Sequence, residues 1–391
     1  MEYLFLLASA FTSRLVNLLG AFRRRRPPKV LVVKLDHLGD VVTATPVFRS
    51  LRRALPGAPI HVMVGPWAKD LLAGNPYIDK ILTYDAGAFH RTVSPRADGR
   101  HPFRVMRETA AERYTHIIDL RGDGWTLLLP FLSGAIQRLD RGTVRSSHWI
   151  RSRTLALGAR GQTGLHGARG APLHEVETNL AIARPLLGPS ADGEARVEIF
   201  IPESDRAVLA SKLAGLGIQQ DALVVSIHPG ASWRPKAWYP ERFAEVARQL
   251  IEKHSAEVFF VGGREDGDIA ERLRALVPGP HAHFALGSSL GETAALIHRS
   301  RLFVGNDGGP AHIAAACGTP VVALFGPADP QRFRPWSETA VALHKPVHCF
   351  PCRQTTCVHP KLPCVNLISV EDVMERAETF LVGSMQGRPR T

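Results

Sequence analysis

Residues 302–330 read LFVGNDGGPAHIAAACGTPVVALFGPADP. Leu302, Phe303 and Val304 form the apolar run of a short buried strand, and residues 305–309, Gly-Asn-Asp-Gly-Gly, form a turn. Small and polar residues suit such a turn because glycine alone reaches positive φ without a Cβ clash. Pro310 fits the first position of a helix, where its missing N–H costs nothing. Residues 311–317 then make a small-residue helix able to lie close to a sheet, Gly318 stops it, and residues 321–325 are the next buried strand. A strand–loop–helix–strand unit of this kind aims free backbone N–H groups and the positive end of a helix dipole at one point, which suits a diphosphate. Asp307, at the mouth of that point, would repel phosphate and is assigned to a neutral, hydroxyl-rich part of a ligand.

The same alternation extends upstream. Residues 223–227, LVVSI, are a buried strand running into His228-Pro229-Gly230-Ala231-Ser232, followed by Trp233-Arg234-Pro235-Lys236-Ala237-Trp238 and a helix over 241–254. A lone lysine in a loop is ordinarily solvated, but Lys236 lies between two aromatics at the end of a strand, which favours its being held. Residues 258–261 are the next strand, and Glu265 or Asp266 in the following loop is placed where nucleotide-binding units put a carboxylate for ribose hydroxyls. Ser289 and Thr293 are helix-start residues for a helix running to His298.

Near the front, residues 30–33, VLVV, have the continuous β-branched character of a doubly covered parallel strand. The loop KLDHLGD (34–40), a helix over 41–55 and a strand over 60–64 follow. This is a Rossmann-like opening without G-x-G-x-x-G, so no dinucleotide fingerprint is present. Asp40 fits an ordinary helix N-cap, and Asp36 is a second carboxylate in the same loop. Residues 117–120 are a further strand. Strand–helix alternation over 29–120 and again over 223–330 predicts an α/β fold of two Rossmann-like domains facing across a cleft. A linker rich in Pro, Gly, Ser and Asp, around a short strand, is expected at 185–205.

Three stretches resemble one family. Asn306-Asp307-Gly308-Gly309-Pro310-Ala311-His312 with Gly318-Thr319-Pro320 and Phe325-Gly326-Pro327 is similar to the donor-site signature of the family 9 glycosyltransferases, the ADP-heptose:lipopolysaccharide heptosyltransferases. Lys34 to Asp40, with Thr43-Ala44-Thr45-Pro46, resembles the family's N-terminal motif, and Ser232 with Lys236-Ala237-Trp238 resembles its Lys-x-Trp element. The resemblance covers about residues 29–380. It implies an inverting transferase that moves heptose from ADP-heptose to Kdo-lipid A or a heptosylated inner core of lipopolysaccharide. It makes Asp40 the catalytic base, with Asp36 ranked second. Ser232, Lys236, Gly308, Gly309 and His312 would bind the donor phosphates, Asp307 the donor sugar, and Glu265 or Asp266 the ribose. The chemistry it implies needs no metal or other cofactor. The alternatives are a transferase of the same fold with another nucleotide sugar or acceptor, a nucleotide-sugar epimerase, or a non-catalytic lipopolysaccharide binder.

Charge points to the partners. The formal net charge is +12, and residues 1–190 carry 27 Lys and Arg against 14 Asp and Glu, so the whole excess lies in the first half. That half is expected to meet something polyanionic. Arg138, Arg141, Arg145, Arg151, Arg153, Arg160 and Arg169 stud a stretch read as a loop, expected to be an acceptor platform for sugar carboxylates and phosphates. Aromatics are not interleaved with the basic residues, as single-strand platforms require, so nucleic acid is not expected. Residues 1–27 pair helical apolar spacing with Arg23 to Arg26, and Arg14 would be costly at mid-membrane. They are read as an amphipathic interface helix on an anionic membrane surface, at the inner face of a cytoplasmic membrane. The expected domains are thus 1–27, an acceptor domain 28–190, a nucleotide-sugar domain 191–368, and a C-terminal helix and tail at 369–391, a helix that often crosses back in GT-B folds.

Four cysteines cluster as Cys349-x2-Cys352-x4-Cys357-x6-Cys364. Reduced structural thiols rank first; a structural zinc site is the alternative, since one C-x2-C arm with two further thiols meets the ligand count.

Overall fold

The computed structural model describes residues 15, 18, 26–85, 102–121, 126, 135–140, 173–187, 195–350, 352, 357–359 and 361–385. The chain divides into two compact units, Met1–Ala195 and Arg196–Thr391. The anchor helix expected over 1–27 lies outside the described residues but for Leu15, Leu18 and residues 26–27. Among the described residues no helix is long and apolar enough to cross a membrane.

The first unit is built on strands β1 (Val30–Lys34), β2 (Ile60–Val64), β3 (Lys80–Thr83), β4 (His116–Asp119) and β5 (Gln137–Asp140), with helices α1 (Leu38–Ala54), α2 (Pro102–Ala111) and α3 (Glu175–Leu187). The sheet order is β3-β2-β1-β4-β5 and every neighbouring pair is parallel. β1 and β2 are buried along their whole length, as their apolar runs require. Leu31, Val33, Leu35, Met63, Tyr84 and Ile117 share one core with Val105 and Met106 of α2. Pro46 inside α1 removes the N–H that would bond the Val42 carbonyl; the Thr45 hydroxyl donates to that carbonyl instead, at 2.8 Å.

The second unit contains α4 (Glu203–Gly215), β6 (Val224–His228), α5 (Pro240–His254), β7 (Glu257–Gly262), α6 (Gly267–Leu276), β8 (Ala282–Leu286), α7 (Leu290–Arg299), β9 (Leu302–Asn306), α8 (Gly309–Ala316), β10 (Val321–Phe325), α9 (Pro330–Phe333), β11 (Ala340–His344) and α10 (Val370–Met385). Its six parallel strands run β11-β10-β9-β6-β7-β8. Both sheets therefore have the doubly wound order in which the winding reverses beside the first strand. The reversal falls between β1 and β4 in one sheet and between β6 and β9 in the other. Ligands of open α/β sheets bind at the carboxyl ends of those strands. α10 sends Val373, Met374, Ala377 and Leu381 into the second core beside Trp238, Phe243 and Phe260.

The fold overturns three expectations from sequence. Residues 137–140 are a strand, not a loop, and Arg138 is wholly buried, ion-paired to Asp140 at 2.9 Å and to Asp119 at 3.6 Å. It is a structural cation and no part of an exposed platform; the platform's other arginines lie outside the described residues. The glycines of the 305–309 turn are not there for positive φ. Gly308 is extended at φ −171°, whereas a Cβ on Gly305 would meet the His228 carbonyl at 3.0 Å. Gly305 lets β9 lie close to β6, and the left-handed conformation belongs to Gly318, at φ +74°, which ends α8. No strand forms in the described part of 185–205: α3 runs to Leu187 with Pro185 inside it, and residues 195–202 are irregular.

Candidate functional site

At the carboxyl end of β6 and β9, a buried asparagine organises the second unit's site. Asn306 ends β9 wholly buried. Its Nδ2 donates to the carbonyls of Pro229 and Gly230 at 2.8 and 3.2 Å, and its Oδ1 accepts from the Trp238 N–H at 3.1 Å. Trp238 is itself sealed in the core, its Nε1 donating to the Ile368 carbonyl at 2.9 Å and its ring edge-on to Phe243. A second buried asparagine, Asn366, accepts from the Tyr239 N–H at 3.0 Å and donates to the Ala237 carbonyl at 3.2 Å. The loop between β6 and α5 is thus fastened on both sides of Trp238.

That fastening fixes Lys236, on the short 3-10 turn Arg234–Lys236. Its Nζ lies 2.5 Å from Oδ2 of Asp307, with both side chains nearly buried, at 12% and 7% exposure. Asp307 follows Asn306 directly and its N–H donates to the Leu324 carbonyl at 3.0 Å. Gly308 is the N-cap of α8 and makes no side-chain cap bond; Pro310 has no N–H and the Ala311 N–H donates to the Gly308 carbonyl at 3.2 Å, which leaves the Gly309 amide at the start of the helix for a ligand. His312, one turn along, is buried; burial pushes its pKa down, the Lys236 charge adds to that and Asp307 opposes it. Its imidazole is accordingly neutral. Lys236, Asp307, Gly308, Gly309 and His312 are therefore brought together.

Ser232 is exposed in the preceding turn. Of the two ribose candidates, Glu265 is exposed while Asp266 is buried against the loop after β6. The Gly263 N–H donates to Asp266 Oδ2 at 3.0 Å, and a Cβ on Gly230 would stand 2.4 Å from its Oδ1. Burial raises the Asp266 pKa, opposed by His228 and the Gly263 N–H. Glycine at 230 is what admits that carboxyl group.

The first unit's site lies at the carboxyl ends of β1 and β4. Asp40 is not the N-cap of α1. His37 occupies that position, and Asp40 lies in the first turn, half-buried, its carboxylate free of capping duty. Burial raises its pKa; Lys34 and His37 pull it down, and Asp36 and Glu175 push it up. Lys34 is a buried ammonium 3.0 Å from Asp36 Oδ2 and 3.4 Å from the Leu120 carbonyl. Asp36 also pairs with Arg121 at 3.0 Å, so two cations engage it. Glu175 opens α3, whose Asn179 reaches the Thr43 hydroxyl on α1 at 3.3 Å. His174 serves structure: its Nδ1 accepts from the Val176 N–H at 3.1 Å, while its own N–H donates to Glu177 at 2.9 Å.

Cys349, Cys352, Cys357 and Cys364 are all of intermediate exposure. Among the described residues no group of three or more His, Cys, Asp or Glu side chains is arranged to hold a metal ion. Asn306 and Lys34 fell within the motifs quoted from the sequence but were given no role there, and Asn366 and Glu175 were assigned to no site. Asn306 and Lys34 each carried a signal, a polar residue closing an apolar strand.

Comparison with known proteins identifies the family. Residues 104–362 match the profile of glycosyltransferase family 9 (heptosyltransferase). The chain is 28% identical over 306 residues to lipopolysaccharide heptosyltransferase 3 of Escherichia coli, covering 78% of this chain and 85% of that one. It is 26% identical over 322 residues to lipopolysaccharide heptosyltransferase 2 of E. coli K12, covering 80% and 86%. Among solved structures it resembles a glycosyl transferase family 9 protein from Veillonella parvula, with a TM-score of 0.71 at 23% identity over 91% of this chain and 97% of that one. It also resembles E. coli ADP-heptose lps heptosyltransferase II, with a TM-score of 0.67 at 20% identity over 91% and 99%.

Proposed function

The chain belongs to glycosyltransferase family 9, and from that premise we propose that it is an inverting heptosyltransferase that uses ADP-heptose and extends the inner core of lipopolysaccharide. The carrying observation is the fixed Lys236–Asp307 pair beside the uncapped start of α8, at the point where the second sheet reverses its winding. A helix N-terminus and an ammonium at that point suit a diphosphate, and an adjacent carboxylate suits sugar hydroxyls. An ADP-sugar presents both.

In the reaction an acceptor hydroxyl oxygen attacks the anomeric carbon while the bond from that carbon to the ADP phosphate oxygen breaks. The hydroxyl proton passes to Asp40, whose burial-raised pKa suits a group that must accept a proton near neutrality. ADP departs with one more negative charge than it carried as part of the donor. Lys236 and the N-terminal end of α8, with the Gly309 amide, stabilise that charge, with Ser232 and neutral His312 as hydrogen-bonding partners. Asp307 holds donor-sugar hydroxyls, and Asp266, in preference to exposed Glu265, takes the ribose. Residues 1–27 and the basic first half bring the enzyme to an anionic membrane surface on the cytoplasmic side, where such an acceptor lies.

The test is ADP release by the purified protein given ADP-heptose, with and without Kdo-lipid A or a heptosylated core. Acceptor-dependent release that Asp40→Asn abolishes supports the reading. Donor binding without release on either acceptor overturns it in favour of another acceptor or a binding role, and full turnover by Asp40→Asn removes the assigned base.

A further inference from the structure

The loop between β11 and α10 presents apolar surface to solvent. Val358, Leu362 and Leu367 are 66%, 47% and 42% exposed, three aliphatic side chains within ten residues. Single exposed apolar residues are ordinary, but a group of them marks a contact surface. The charge of this loop is one-sided. No Asp or Glu stands between Glu338 and Glu371, while Lys345, Lys361, His344, His348 and His359 all lie there. Lys345 is paired with Asp372 at 2.8 Å, whereas Lys361, His348 and His359 are exposed in the same loop as the aliphatic residues.

The backbone that carries them is tied down. The Leu362 N–H donates to the His359 carbonyl at 3.2 Å, and the Tyr239 hydroxyl donates to the Lys361 carbonyl at 3.3 Å. His348 and His359 share a hydrogen bond, Nε2 to Nε2, at 3.4 Å, which joins the two arms of the loop. Leu367 closes the 3-10 turn Cys364–Leu367. Val365, Asn366 and Ile368 on either side of it are buried, so the turn spends its other apolar residues on the core and leaves Leu367 outside. Through Tyr239 and Asn366 the loop is bonded to the segment between β6 and α5, which places it at the carboxyl edge of the second sheet.

We propose that this surface is a lipid contact: Val358, Leu362 and Leu367 enter the interfacial layer of an anionic bilayer, and the Lys361 ammonium meets its headgroups. Aliphatic side chains gain by leaving water, and a lysine can lay its stem along them while its charge stays with the phosphates. Because the loop is already ordered, little conformational freedom is lost on docking. A second copy of the chain fits less well, since a two-fold contact would set Lys361 and the histidines against their own kind. The proposal goes beyond the transferase reading and stands without it.

The test is flotation of the full chain with vesicles of phosphatidylethanolamine and phosphatidylglycerol, in the absence of donor and acceptor, with phosphatidylcholine vesicles for comparison. The chain is expected to float with the anionic vesicles. Val358→Ser and Leu362→Ser together are expected to lower its partitioning by about tenfold or more, since each removes the transfer of an aliphatic side chain out of water. Lys361→Gln is expected to lower it by about fivefold, on the anionic vesicles only. All three positions are exposed, and an unchanged melting temperature checks that the fold is intact. Leu362→Trp reads the contact directly: its added fluorescence is expected to be quenched by lipids with brominated acyl chains. Leu216→Trp, at a similarly exposed position just after α4, is expected to escape quenching.

A full chain that stays out of the vesicle fraction overturns the proposal. Full partitioning by the Val358→Ser/Leu362→Ser protein also overturns it, as does equal quenching of the two tryptophan variants, because the contact then lies elsewhere in the chain. A concentration-dependent dimer in sedimentation velocity that the same two serine substitutions dissolve overturns it in favour of a second copy. Failure of ADP release is a separate failure, that of the transferase reading, since no vesicle measurement involves turnover.

Discussion

Replacing Asn306 by alanine removes three hydrogen bonds at once: the two donated to Pro229 and Gly230 and the one accepted from Trp238. At about 1 kcal/mol net for each bond, the second unit should lose about 3 kcal/mol. The Trp238 N–H is then left buried without its acceptor, which adds about 1–2 kcal/mol if no water enters. The loss should be local first, because the bonds tie the loop between β6 and α5 to the end of β9. A chain of two units need not unfold in one step, so the primary assay is hydrogen exchange of the Trp238 amide, backed by urea unfolding. Protection of that amide should fall by about a hundredfold or more, matching at least 3 kcal/mol. ADP affinity should fall with it, since Lys236 is carried by the same loop. Asn306→Asp should be worse than alanine at neutral pH, because its carboxylate faces two carbonyl oxygens. It should recover on acidification, when the protonated group can donate. Unchanged Trp238 protection in Asn306→Ala, with a stability loss under about 1 kcal/mol, would refute the assignment of Asn306 as the fastener.

Lys236→Met should weaken ADP binding by about 10- to 100-fold, the range of a charged hydrogen bond, measured by titration calorimetry; the Lys236→Met/Asp307→Asn double variant separates that loss from the cost of leaving Asp307 unpaired. Gly230→Ala places a methyl 2.4 Å from Asp266 Oδ1 and should lower stability by about 1–3 kcal/mol, seen as a lower melting temperature, while a wild-type melt would show that Asp266 has room to move. Glu112 accepts from Lys29 and Lys80, each at 2.6 Å, and those bonds bring its pKa down to about 2. A depressed carboxylate stabilises the fold above its unfolded value of 4.5, and that contribution is lost as pH falls through about 2. Because the pair with Lys80 is well solvated, screening reduces the effect to about 1 kcal/mol. Glu112→Gln should show that deficit in urea unfolding at pH 7 and none near pH 2, and a pH-independent deficit would contradict it.

The central strands were legible because both of their faces are buried. Runs such as VLVV at 30–33 and LVVSI at 223–227 have no other economical use. The edges were not. β3, β5, β8 and β11 contain Lys80, Gln137 with Arg138, His283 and His344, and of these β8 and β11 are only half-buried throughout. A half-solvated strand tolerates polar residues, so its composition does not separate it from a loop. Arg138 shows the consequence of that ambiguity: a charge that looked exposed is buried because Asp140 lies two residues along the same strand. In the site, Asp307 to His312 could be read together because one turn carries them all. The Lys236–Asp307 pair could not, since its partners come from different strand ends and only the sheet order makes them neighbours. The same holds for Glu175 and Asp40, joined only when α3 packs on α1.

The two sheets use a common electrostatic device at their winding reversals. Each has a largely buried lysine within 3.0 Å of an aspartate, Lys34 with Asp36 and Lys236 with Asp307. A bare cation there would be desolvated and costly, whereas a paired one is held in a fixed place with its charge largely balanced. On the proposed reading, balance matters because the ligand's charge changes during the reaction. The donor arrives with its sugar hydroxyls able to satisfy Asp307, which leaves Lys236 to the phosphates. As ADP separates, its added charge falls on an ammonium already in position, so little reorganisation is needed when the bond breaks. In the first unit the charge appears in the opposite sense: Asp40 is neutralised as it takes the proton, and Lys34, held also by Asp36, is not stranded by the loss. Substituting either lysine should therefore impair turnover more than it impairs ground-state binding of the acceptor. Comparable losses in kcat and in acceptor affinity would argue that the pairs serve only to hold the loops.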